Sequence, residues 1–203
     1  MIPILFRKLI IPLILLTILL LSPLYVPVSS KTSLESVNSE TADDWPMSRH
    51  DLARSGYSAS IAPSKMERVR LLWRSQINVS SSPAIVDGRL YACSADTAYC
   101  LNATTGSQIW TRQGGGSSPT VSGGRVYVGS YCLDATNGSE IWNSGIYGSS
   151  PAVYDDIVFV CSSYGNSVHA LNVSTGNVIW NYKTYDIIYG ASPAVVDGII
   201  YIG

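Results

Sequence analysis

Nearly the same eight residues are written three times in this chain: ATTGSQIW (103–110), ATNGSEIW (135–142) and VSTGNVIW (173–180). Trp110, Trp142 and Trp180 stand 32 and 38 residues apart, and Gly106, Gly138 and Gly176 keep the same intervals. Upstream of each tryptophan runs a second matching element: SSPAIVDGRLYACS (81–94), SSPTVSGGRVYVGS (117–130) and SSPAVYDDIVFVCS (149–162). A fourth, ASPAVVDGIIYIG, occupies 191–203. A period of this size marks stacked repeats, either a solenoid or a propeller.

Each repeat resolves into strands and turns. Pro83 and Ala84 begin a short strand, and Asp87-Gly88 is a two-residue hairpin turn, in which glycine supplies the positive φ. Gly123-Gly124 and Asp197-Gly198 fit the same slot, and Asp155-Asp156 fits it less well. The second strand (RLYACS, RVYVGS, IVFVCS, IIYIG) is β-branched or aromatic in every copy. A further turn, expected at Asp96-Thr97 and around Gly165-Asn166, leads to a third strand (AYCLNA, YCLDA, HALNV). The glycine turn then opens a fourth strand that carries the tryptophan. Four short antiparallel strands with no helix between them make a propeller blade, so the fold class is all-β. Blades are expected at about 82–113, 118–144 and 150–184, with part of another at 192–203 and a lone outer strand at 69–75 ending near Trp73. One blade cannot bury both faces, so the repeated tryptophans read as fasteners between neighbours, with Gly106, Gly138 and Gly176 at left-handed turn positions.

A net charge of −1 leaves no basic stripe for phosphates, which argues against a nucleic-acid partner. Arg7 and Lys8 precede an apolar run from Leu9 to Leu21. That is the layout of a secretory signal cut after Ser30, and Leu9 to Val28 is also nearly long enough to stay as an anchor. Either way, residues 1–30 are the one membrane-directed segment, and the remainder is expected outside the cytoplasm. Residues 31–43 are polar, without apolar period, and read as a linker to a propeller domain over 44–203.

The segments CLNATTGSQIW, CLDATNGSEIW and ALNVSTGNVIW resemble the tryptophan-docking motif A-x-D-x-x-T-G-K-x-x-W of pyrroloquinoline-quinone-type (PQQ-like) propeller repeats. Ala170 keeps the first position, while Cys100 and Cys132 replace it; Asp134 keeps the acid, while Asn102 and Asn172 replace it. The lead-in DWPMSRHDLARSGYS (44–58) is similar to the Trp-Pro…Gly-Tyr-Ser segment that precedes such propellers. The resemblance implies a ring of seven or eight blades. Measured against that ring, the chain reads as an N-terminal portion with three complete blades and parts of two more.

Candidate chemistry is sparse. His50 and His169 have no metal-ligand spacing to each other or to cysteine. Asp87, Asp155, Asp156 and Asp197 are explained by their turns, and GGGSS (114–118) lacks the Lys-Ser/Thr of a phosphate loop. Cys93 and Cys100 would face each other if their hairpin turned at Asp96-Thr97, as a disulfide or as two buried thiols. Asn78, Asn102, Asn137 and Asn172 head N-x-Ser/Thr sequons, which exported chains can glycosylate and which turn chemistry also explains. Two functions follow. One is an exported non-catalytic scaffold for proteins or envelope polymers, with no cofactor, catalytic residue or metal. The alternative, implied by the resemblance, is part of a quinoprotein dehydrogenase with PQQ and calcium over the central channel. Adjacent cysteines and a carboxylate cluster outside the turns, both expected of that alternative, are missing from this sequence.

Overall fold

A computed structural model describes residues 44–51, 53–55, 70–162, 164–185, 188 and 190–203. The leader (1–30), the linker (31–43) and Val69 of the expected lone strand lie outside the described residues.

Short β-branched runs punctuated by turn pairs close on themselves as hairpins. The first blade comprises β1 (Ala84–Val86), β2 (Arg89–Cys93), β3 (Thr97–Asn102) and β4 (Gln108–Gln113). The second comprises β5 (Thr120–Ser122), β6 (Arg125–Val128), β7 (Tyr131–Asp134) and β8 (Glu140–Asn143). The third comprises β9 (Ala152–Tyr154), β10 (Ile157–Cys161), β11 (Ser167–Asn172) and β12 (Val178–Lys183). Strands β13 (Ala194–Val196) and β14 (Ile199–Tyr201) form a two-stranded sheet. Each four-stranded sheet is antiparallel and keeps chain order, and the described residues contain no helix. The all-β, blade-by-blade architecture is the one the repeats predict.

The first hairpin of the first two blades, and that of β13–β14, turns through two left-handed residues: Asp87-Gly88 at φ 50° and 68°, Gly123-Gly124 at 57° and 71°, and Asp197-Gly198 at 50° and 73°; in the third blade only Asp155, at 52°, is left-handed. That geometry matches the twist of the flanking strands. The outer hairpins share an irregularity. Leu101 pairs with Gln108 while Cys100 pairs with Trp110, so Ile109 is an extra residue in β4. Ile141 and Ile179 occupy the same place in β8 and β12. A bulge re-aims the side chain that follows it, and here the side chain that follows is the tryptophan.

Alternation along the middle strands assigns each residue to one neighbour. Val126 and Val128 pack with Tyr91, Cys100 and Trp110 of the preceding blade, whereas Tyr127 packs with Val153 and Val158 of the following one. The core therefore lies between sheets. At about 25 cal/mol per Å² of apolar surface, these face-to-face contacts are what makes a thin four-stranded sheet stable.

Two expectations are corrected. Residues 70–75 are not a β-strand, because an outer strand exists only against a third strand and none of the described residues provides one. The hairpin between β2 and β3 turns at Ala95-Asp96, one residue earlier than expected. Ser94 fixes it there: its Oγ donates to Asp96 Oδ1 at 2.8 Å and accepts the Thr97 amide at 3.0 Å. Cys93 then faces Ala98, and Cys100 faces Tyr91. Cys93, Cys100, Cys132 and Cys161 are all buried free thiols.

The lead-in crosses the innermost strands. Trp45 exchanges backbone hydrogen bonds with Ile85 of β1 at 2.6 and 2.7 Å, and Pro46 O accepts the Val121 amide of β5 at 2.8 Å. Met47 is buried against Ala152 of β9 and Val195 of β13. Arg54 donates from Nε to Pro193 O at 2.8 Å and from Nη2 to Ser150 O at 3.2 Å. Trp45, Pro46, Met47 and Arg54 thus touch the inner edge of four successive sheets.

Burial pushes the Cys93 thiol up to about 12 and those of Cys100, Cys132 and Cys161 to about 11. An unfolded thiol ionises near about 8.5, so the folded chain holds these protons where the unfolded one releases them. Stability is accordingly independent of the thiols below about pH 8.5 and falls as pH rises above it, until the folded thiols ionise. At pH 8 a disulfide reagent should leave the folded protein unlabelled over minutes and titrate all four thiols in denaturant. Rapid labelling of the folded chain would contradict this burial.

Candidate functional site

The repeated motif builds the joint between blades. The Trp73 indole Nε1 donates to Ala103 O at 2.9 Å, Trp110 to Ala135 O at 3.1 Å and Trp142 to Val173 O at 3.0 Å. Each acceptor lies in the glycine turn of the following blade. The indole ring lies flat on that turn: a Cβ on Gly106 would come within 2.6 Å of Trp73, one on Gly138 within 2.7 Å of Trp110, and one on Gly176 within 2.6 Å of Trp142. All three glycines have φ of 72°. Glycine is required twice over, by the left-handed backbone and by the ring above it. Asn102, Asp134 and Asn172 hold the turn from within, each accepting two backbone amides two and three residues on. This explains why Asn and Asp exchange there: both offer the same oxygen acceptor.

Two participants escape a sequence reading. Arg89 Nη1 donates to Ala135 O at 2.8 Å, beside Trp110 and the Tyr91 hydroxyl at 3.2 Å. Arg125 Nη1 repeats the contact on Val173 O at 2.7 Å. One carbonyl of the next blade thus collects an indole and a guanidinium. The signal was the Arg-x-Tyr at the start of the second strand in copies one and two; copy three has Ile157 and Phe159. Trp180 packs on Phe159 with ring centroids 6.0 Å apart, as Trp110 does on Tyr91 and Trp142 on Tyr127. No glycine turn among the described residues lies beneath it.

The inner ends of the blades carry a serine ladder. The Ser82 amide donates to Ser118 Oγ at 3.1 Å, and the Ser118 amide to Ser150 Oγ at 3.2 Å. Ser81 and Ser117 accept the amides of Cys93 and Gly129 in their own blades at 2.8 and 2.9 Å. Ser81, Ser117, Ser118 and Ser150, with Gly116, Gly190 and Ser192, line an open polar cleft at the loop face beside the inner strands. The donor set there is hydroxyl and backbone. Calcium calls for several carboxylates, but Asp87, Asp155, Asp156 and Asp197 sit in the hairpin turns at the far ends of the inner strands. The described residues at the mouth therefore do not fit calcium, and no group of three or more metal-ligating side chains occurs among the described residues.

The remaining candidates are dispersed. His169 Nε2 shares a hydrogen bond with Ser167 Oγ at 2.8 Å in the same strand, and burial lowers its pKa. Asn78 and Asn137 are exposed; Asn102 and Asn172 are half-buried, with their Oδ1 atoms occupied in the turns.

Four-stranded blades fastened by indoles on glycine turns define a PQQ-like β-propeller. The chain belongs to the family described as outer membrane protein assembly factor BamB, whose model matches residues 67–131 and 129–203. Its fold is similar to the quinohemoprotein alcohol dehydrogenase of Comamonas testosteroni (23% identity, TM-score 0.57, 69% of this chain and 27% of that one). It is also similar to the quinohemoprotein alcohol dehydrogenase ADHIIG of Pseudomonas putida (20% identity, TM-score 0.61, 70% and 27%). A third likeness is to BamB of Moraxella catarrhalis (20% identity, TM-score 0.52, 64% and 48%). The chain thus spans between about a quarter and a half of the length of these proteins, and at such identities the likeness is one of fold. No curated protein matches the chain.

The joint makes graded predictions. Trp142→Ala should destabilise by about 3–5 kcal/mol, as large-to-small core changes do. Gly138→Ala should cost roughly 2–4 kcal/mol, combining left-handed strain with displacement of Trp110. Gly88→Ala has φ of 68° but nothing within 4 Å of the new methyl, so it should cost only about 1–2 kcal/mol. Denaturant unfolding of the three variants checks this order; equal losses at Gly138 and Gly88 would remove the ring contact from the account.

Proposed function

We propose that this chain is an exported, non-catalytic propeller scaffold that binds proteins or envelope polymers through its loop face. The observation that carries the reading is the polar cleft at the inner ends of the blades, lined by serines and glycines with no carboxylate among the described residues of its lining. A quinoprotein would hold PQQ with calcium over the central channel, and hydroxyls with backbone are a poor donor set for calcium. The repeated glycine turns, tryptophans and SSP serines hold neighbouring blades together, while the connecting loops differ between copies in length and chemistry. Those loops connect rigid sheets, the usual location of recognition residues. Membership of a family named for outer-membrane assembly supports protein partners in an envelope. The apolar leader with Arg7 and Lys8 supports export, as a cleaved signal or an anchor. Likeness to quinohemoprotein alcohol dehydrogenases concerns fold alone.

Two measurements test this. A photo-crosslinking residue at position 164, on the loop face, should capture a partner in intact cells, while one at position 104, on the opposite turn face, should not. Titration with PQQ and calcium should show no saturable binding that depends on Asp87, Asp155 or Asp197. Crosslinks confined to position 104, or saturable PQQ binding lost on changing one of these aspartates, would replace the scaffold reading.

A further inference from the structure

On the loop face, between the first three blades, a cleft of about 360 Å³ brings together Asp96, Tyr131, Tyr147 and Tyr164 over the backbone of Gly114–Gly116. The three rings come from different places in the chain. Tyr131 opens β7, Tyr147 lies in the connection from β8 to β9, and Tyr164 in the loop from β10 to β11. Tyr147 is 55% exposed and Tyr164 83% exposed. Large aromatic surfaces left in water around one concavity mark a contact site more often than chance placement does. Tyr131 is held in position: a Cβ on Gly114 would meet its ring at 2.6 Å, so the glycine lets the ring lie against bare backbone.

The charge of the cleft has one sign. Asp96 accepts from Ser94 Oγ at 2.8 Å and from Thr97 Oγ1 at 3.0 Å, both on Oδ1. Its Oδ2 has no protein partner among the described residues, and no lysine, arginine or histidine lines the cleft. The same two hydroxyls hold the Asp96 carboxyl below its ordinary pKa, so it is ionised at neutral pH. Aromatic faces carry negative potential, and several of them around a cation form the cage that recognises alkylated ammonium groups. An anion would meet the carboxylate unfavourably. A neutral sugar would stack on the rings and donate a hydroxyl to the carboxylate but gain no charge–charge attraction, the distinction the choline and disaccharide titrations read; a proline-rich strand would use the rings alone.

We infer that this cleft binds an alkylammonium group, of the trimethylammonium type, between Tyr147 and Tyr164 and beside Asp96. The inference rests on the loop face being the one presented to partners, and a direct titration reads it without any partner. The full chain is titrated with choline and with its uncharged isostere 3,3-dimethylbutan-1-ol, following tyrosine fluorescence. Choline should bind saturably and the isostere should not. Tyr164→Ala and Asp96→Asn should each weaken choline by about tenfold, and Tyr164→Phe by less than about twofold, since the ring face carries the contact. Circular dichroism checks that each variant is folded; Asp96→Asn keeps an oxygen acceptor for the turn. Added salt should weaken binding in the native chain and much less in Asp96→Asn. Equal binding of the isostere, indifference to both substitutions, saturable binding of a disaccharide in place of choline, or no binding of choline would each overturn the assignment. None of these results would alter where crosslinks form, so the scaffold reading is judged separately.

Discussion

The indole that lies on the next blade's glycine turn is the contact on which the rest of this fold depends. A four-stranded sheet has two apolar faces and too little mass to cover either, so its stability is a property of the interface. The tryptophan supplies the largest apolar area available to one side chain and ends in a donor that must find an acceptor once buried. The glycine turn supplies both requirements, a flat patch without Cβ and a carbonyl that the turn leaves outward. The two halves of the motif are separated by only a few residues in sequence, yet each half serves a different joint. Gly138 receives Trp110 from behind, while Trp142 reaches forward to Val173. Repetition follows from this: a blade missing either half would leave one neighbour unfastened.

Fastening at the rim leaves the inner edge to be managed. Strands β1, β5, β9 and β13 are three residues each, and an inner edge strand exposes amides and carbonyls with no further strand to pair them. Two devices deal with this. Serine hydroxyls of the SSP element accept amides within and between blades, and the lead-in contributes its own backbone to Ile85 and Val121. Arg54 completes the arrangement by donating to the carbonyls of Ser150, just before β9, and Pro193, just before β13. Desolvation lowers its pKa, yet a guanidinium remains charged at any ordinary pH. Its hydrogen bonds are charge-assisted, and losing them would leave carbonyls of two blades without a donor.

The parts of the fold legible in sequence are those governed by local rules that recur. Asp-Gly pairs, alternating β-branched runs and the spacing of glycine to tryptophan are each short-range signals, and three registered copies make them unambiguous. The rest depends on neighbours that a sequence does not display. Ile109, Ile141 and Ile179 look like ordinary strand residues, and only the pairing shows them as bulges that aim the indole. Arg89 and Arg125 look like solvated charges at a strand start, but the next blade places a carbonyl above them. The Cys93–Cys100 facing failed by one residue because Ser94, a side chain outside the apolar pattern, decides where the hairpin turns. Of the candidate site, nothing announced that Asp96, Tyr131, Tyr147 and Tyr164 would share one cleft; it is assembled by the stacking of three blades.

That division also separates the two faces of the blades. The turn face is nearly invariant between copies, since its residues answer to the tryptophan joint: Asn102, Asp134 and Asn172 accept the same pair of amides, and Gly106, Gly138 and Gly176 share one φ. Any ligand chemistry placed there would compete with the joint. Away from the serine ladder, the loop face carries no such obligation. Its connections differ in length and chemistry from blade to blade: Ser94–Asp96 is tight and acidic, Gly129–Ser130 is two small residues, and Ser162–Asn166 is longer and carries Tyr164 outward. Differences between otherwise matched repeats cannot serve the common packing rule, so they are free to serve recognition. Altering a few loop residues leaves the indoles holding the blades together, because the two sets of residues share neither a face nor a hydrogen bond.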